Sequence, residues 1–151
     1  MEFTKDTSVW DKLKRDLRLL NTLELNTGWF DKHYGPENNN LPIAQVVQFN
    51  EEGTSTAPPR PFIREGFGQL LKSGRATVNF ERIISSVLNG QSVMTAYTLN
   101  GPIFVEYMKK SIRDWKTPGN APATIAAKGF DNPLQETDTM LNAVEFKVQP
   151  K

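Results

Sequence analysis

The chain has 151 residues, with 18 Lys and Arg against 17 Asp and Glu, one histidine and no cysteine. A domain most often runs to about 100–150 residues, so one domain spanning residues 1–151 is expected. The formal charge of +1 excludes the strongly basic footprint of a dedicated nucleic-acid binder, and the missing cysteines exclude a disulfide framework and thiolate metal sites, as in a protein made in reducing cytosol.

Ten prolines and ten glycines predict much irregular backbone around a modest core. Met1 to Leu20 mixes charges with its apolar residues, a pattern that predicts neither a signal peptide nor a membrane span. Val9, Trp10, Leu13, Leu17 and Leu20 recur at three- and four-residue steps and predict an N-terminal helix. On it, Asp11 with Arg15 and Lys12 with Asp16 have the spacing of helix-surface ion pairs, worth a few tenths of a kcal/mol each. Leu23, Leu25, Thr27 and Trp29 alternate instead and predict a strand, followed by a polar loop from His33 to Asn40.

After Pro42, Ile43, Val46, Val47 and Asn50 return to helical spacing, and Gly53 ends that helix. Thr54 to Pro61 carries three prolines and reads as an extended, semi-rigid arm. Phe67, Leu70 and Leu71 resume the helical period, and Phe80, Ile83, Ile84, Val87 and Leu88 predict a helix over about Ala76 to Leu88. Asn89-Gly90 is a turn signal. Ser92 can cap a further helix that runs through Ile103, Tyr107, Met108, Ile112 and Trp115, with a kink at Gly101-Pro102. Trp115 to Asp138 reads as a long loop with a short helical turn at Ile125 to Lys128. Val144, Phe146 and Val148 alternate with charged and polar residues and predict a final strand. The fold class expected is therefore α+β: an N-terminal helix and two to three further helices packed on a small, mainly antiparallel sheet, with long Pro/Gly-rich loops.

Little here suggests chemistry. With His33 alone and no cysteine, His-rich zinc sites, Ser-His-Asp triads and Cys-His dyads cannot be built in one chain. Glu51 and Glu52 are adjacent, and neighbours on a helix diverge by about 100°, which makes them a poor acid/base pair. Gly66-Phe67-Gly68 lacks the rest of a phosphate loop. The expectation is no enzyme, no cofactor and no metal.

Two segments ask for more than a structural explanation. Glu51 and Glu52 sit at a helix C-terminus, where the dipole disfavours negative charge, and Arg60, held between prolines, could pair with either, in the same or a neighbouring subunit. The loop from Trp115 to Asp138 is longer than compact domains usually tolerate and carries Trp115, Ile125, Phe130 and Leu134, anchors for packing on its own subunit or on a neighbour. The candidate inter-subunit or partner residues are thus Glu51, Glu52, Arg60, Phe62, Trp115, Ile125, Lys128, Phe130 and Leu134.

The same two segments carry a family resemblance. Asn50-Glu51-Glu52-Gly53-Thr54 with Arg60-Pro61-Phe62, then Pro122-Ala123-Thr124-Ile125, Lys128-Gly129, Pro133-Leu134 and Thr137, resemble the two signature blocks of phage virion-morphogenesis proteins, the tail-completion and neck superfamily that includes the minor tail protein Z type. Three positions depart from that pattern. Asn50 stands where many relatives have histidine, Glu136 where they have aspartate, and Asp138 where they have the glycine that follows threonine. The resemblance implies a structural virion subunit of the neck or upper tail, made in the host cytoplasm. Such subunits close into a ring, typically a hexamer, between head connector and tail tube, with DNA passing through the lumen without sequence-specific binding and with no membrane partner. Two alternatives stay open: a tail-terminator ring, and a monomeric module that offers Pro58-Pro59-Arg60-Pro61 to an aromatic groove.

Overall fold

A computed structural model describes residues 7–151; the start of the N-terminal stretch read above, Met1 to Asp6, lies outside the described residues. The fold is α+β. Its first helix, α1 (Ser8–Thr22), forms where the period places it. Lys12 and Asp16 pair at 2.6 Å as their spacing predicts, but Asp11 lies 3.9 Å from Lys14 rather than pairing with Arg15.

Strand β1 (Leu23–Gly28) follows directly and pairs antiparallel with β2 (Glu145–Pro150), Leu23 opposite Pro150 and Gly28 opposite Glu145. Among the described residues the sheet is these two strands. A lone hairpin-like ribbon is marginal in water and needs cover. Leu25 and Val148 supply the contact by packing against Leu23, Ile83, Val87, Val93, Ala96 and Tyr97.

Helix α2 (Ile43–Glu52) ends at Gly53, whose φ of 78° lies in the left-handed region. A Cβ there would sit 2.8 Å from the backbone nitrogen of Pro59, so this turn admits only glycine without a shift of the chain. Helix α3 (Phe62–Lys72) begins five residues before the first periodic apolar residue of the sequence, Phe67. Helix α4 (Arg75–Leu88) matches its predicted span closely.

The kinked helix predicted from Ser92 to Trp115 is two helices, α5 (Val93–Asn100) and α6 (Pro102–Asp114). Ser92 caps α5 by accepting from the Thr95 amide at 3.0 Å. Gly101 joins the two because the Phe146 ring occupies the place of a Cβ, 2.3 Å from where one would be. In the long loop, the predicted turn is a fuller helix, α7 (Pro122–Lys128), opened by proline at its first position. A last short helix, α8 (Thr139–Asn142), was not predicted.

The main core gathers Ile43 and Val47 of α2, Phe62 of α3, Met108 and Ile112 of α6, Trp115 and Leu134, and Met140, Leu141, Ala143 and Val144. Trp29 closes it, edge-on to Phe62 with centroids 6.0 Å apart, and donates its indole N–H to the Met140 carbonyl at 2.7 Å. No helix among the described residues is long and apolar enough to cross a membrane.

Candidate functional site

The chain between α2 and α3 is folded back on itself. Thr54 donates its amide to Ala57 O at 2.9 Å, and the Arg60 amide reaches Asn50 O at the end of α2 at 2.6 Å. The Arg60 guanidinium then crosses to the loop after α6, donating from Nε to Pro118 O at 3.2 Å and from Nη2 to Gly119 O at 2.9 Å, with Nη1 3.3 Å from Asn50 Oδ1. Its planar fork suits two neighbouring acceptors. Partial burial favours the uncharged form of Arg60, while Asp131 nearby favours the charged one.

Two expectations are corrected here. Arg60 pairs with backbone carbonyls and Asn50, not with Glu51 or Glu52. The Thr54–Pro61 segment is a docked clasp rather than a projecting arm, with Pro58 and Pro59 exposed on it. Glu51 has a different job: its two carboxylate oxygens accept from the amides of Ile63 at 2.9 Å and Arg64 at 3.2 Å. It therefore sits at the N-terminus of α3, where the dipole favours an anion, as much as at the C-terminus of α2. This cap supplied from another helix is why α3 starts early.

The other candidate residues divide by burial. Phe62 is 0% exposed, and Trp115 and Leu134 are also buried; all three belong to the main core. They pack on their own subunit, which corrects their placing as interface contacts. Trp115 does so with no hydrogen-bond partner for its indole nitrogen among the described residues. Ile125 is half-buried and Lys128 donates to Asn132 O and Gln135 O, tying α7 to the loop behind it. Its ammonium also lies 5.0 Å from the centre of the Phe130 ring. Glu52 and Phe130 are exposed, and among the described residues Glu52 accepts from Gln48 at 3.3 Å.

Asn50, from the start of the first segment, shares one polar cleft of about 150 Å³ with Lys128, Leu134, Glu136 and Asp138 of the second, and its walls also include Tyr34. Burial, and secondarily Glu136, pushes the Tyr34 hydroxyl above the ordinary tyrosine range. Asn50, Glu136 and Asp138, the three positions that depart from the family pattern, all line this cleft. Asp138 has φ 56°, in the left-handed region, a conformation that glycine adopts without a Cβ penalty.

A second, larger feature escaped the sequence reading. Between α1, β1, α3 and α4 lies an open apolar groove of about 670 Å³, walled by Leu17, Leu20, Phe67, Leu71, Phe80 and Ile84, with Tyr97 of α5 among its lining residues. Helix α1 has no buried residue despite its apolar stripe. Ile83 and Val87 of α4 face the core while Phe80, Ile84 and Leu88 stay exposed. The signal was present: the apolar stripe of α4 is wider than one buried face needs.

Among the described residues no group of three or more His, Asp or Glu side chains is placed to hold a metal ion. Compared with family models, curated proteins and solved structures, the chain matches none.

Proposed function

We propose that this chain is a non-enzymatic structural subunit of the phage head–tail joint, a tail-completion or neck protein. In this reading copies of it close into a ring, typically a hexamer, between the head connector and the tail, and DNA passes through the lumen. The observation that carries the reading is the meeting of the two signature segments. Chance matches separated by some sixty residues have no reason to interlock, yet Arg60 of the first holds the loop that leads into the second. Asn50 and Leu134, one from each block, share the wall of a single cleft.

Asp138 adds independent support. The family's glycine stands at this position, and the backbone here is left-handed, the conformation for which glycine is the default residue. A near-neutral chain also suits a channel through which DNA must slide, because each phosphate-binding cation adds affinity that holds the duplex in place.

Electron microscopy of the purified chain mixed with phage tail tubes tests this reading. Density added at one end of the tube is expected, and tubes left unchanged at both ends would speak against it.

A further inference from the structure

We propose that the apolar groove is the seat of a second copy of this chain, and that the neighbour fills it with the uncharged outer side of its α5. The inference rests on the ring reading above and names the surfaces that would make the ring.

The groove is too large to leave uncovered in an assembly. Leu17, Phe67, Leu71, Phe80 and Ile84 on its walls are between 37% and 67% exposed. Large side chains present about 200 Å² each when fully open, so these five leave on the order of 500 Å² of mostly apolar surface. A stable interface takes about 800 Å² from each partner, and an apolar patch of this size on a lone chain marks an interaction site. The groove and the exposed apolar side chains around it thus supply part of what an interface needs, and Asn21, Glu24 and Lys151 in its lining are polar residues of the kind that form a rim.

The complementary surface lies on the same chain. From Ile83 to Val105 there is not one charged residue, although Leu88, Met94 and Leu99 are exposed. Interface centres are depleted in charge in this way. Helix α5 buries Val93, Ala96 and Tyr97 inward yet carries Met94 and Leu99 outward. The outer side is uncharged, with Thr95 and Thr98 at its centre and Met94 and Leu99 on its two flanks. Entering the groove would bury no charge from α5, only Thr95 and Thr98 alongside its apolar residues.

Geometry makes the contact head-to-tail. Tyr97 lines the groove, and Leu99, two residues on, is rotated about 200° round the helix. Leu99 therefore faces away from its own groove and can reach only another copy's. Such a heterologous contact leaves a free groove at one end and a free α5 at the other, and it repeats until the copies close on themselves.

The absence of native cysteine allows a direct test. The single variants L71C and L99C change side chains that are 67% and 63% exposed, so the fold is kept. Mixed in equal amounts and oxidised at the highest soluble concentration, they are expected to give the L71C–L99C cross-link in several-fold excess over either self-link. The double variant L71C/L99C should give a ladder of linked copies. Self-links alone, or no links, overturn the proposal. Light scattering of the unmodified chain, with and without phage tail tubes, separates this from the ring reading: rings formed without the L71C–L99C link overturn only the groove assignment, and a chain that stays monomeric under both conditions overturns both.

Discussion

Replacing Arg60 by alanine removes the clasp that ties the α2–α3 turn to the loop after α6. Two of its hydrogen bonds, to Pro118 O at 3.2 Å and Gly119 O at 2.9 Å, join a charged donor to backbone carbonyls. Bonds of that kind contribute about 1.5–3 kcal/mol each, and the low end applies because the guanidinium is only half-buried. The contact to Asn50 at 3.3 Å is long and is counted as nothing. The expected loss is about 3 kcal/mol, roughly a 6–12 °C fall in Tm for a chain of this length. Urea unfolding followed by circular dichroism measures it, with an unchanged slope showing that the same surface still unfolds. Arg60→Lys keeps the charge but not the fork, so it should recover less than half of the loss. A loss under about 0.5 kcal/mol for Arg60→Ala, the level of an ordinary surface substitution, would refute the clasp.

Glu51 and Glu52 should behave as opposites although they are neighbours: Glu51→Ala strips the cap from α3 and is expected to cost about 1–2 kcal/mol, while Glu52→Ala should stay within about 0.5 kcal/mol, both read from the same urea curves. Asp138→Gly relieves a left-handed aspartate and is expected to leave stability unchanged or raise it by up to about 1 kcal/mol; a clear loss in thermal melting would show that the Asp138 side chain, which accepts from Gln135 at 3.3 Å, matters more than its backbone.

Much of the fold was legible because local periodicity decides it. Val144, Phe146 and Val148 alternate, and a strand forms there; Ile83 and Val87 repeat at helical spacing, and they face the core. What the sequence did not show depends on groups brought in from far along the chain. The start of α3 is set by Glu51, twelve residues before the first amide it caps, and the partners of Arg60 lie 58 and 59 residues away. Phe62 reads as part of a proline-rich arm until Trp29 and Ser111 are known to meet it: Ser111 donates to Phe62 O at 2.7 Å inside the core. An acidic pair at a helix C-terminus followed by an arginine held between prolines suggested an ion pair, whereas backbone carbonyls, which have no sequence signature, hold the guanidinium instead. The candidate site was half legible for the same reason. The signature segments marked where the chain folds together, but the groove arises only when α1, β1, α3 and α4 are assembled, and its trace in the sequence was the excess width of the apolar stripe on α4.

The central claim is that the chain works as a closed ring, and the mass of the purified protein in solution tests it most directly. With a single chain of 17.1 kDa, light scattering with and without phage tail tubes should reveal a species near six chain masses, about 100 kDa, seen as rings by electron microscopy of the same fraction. A single-chain mass at every concentration, with or without tubes, would contradict the account.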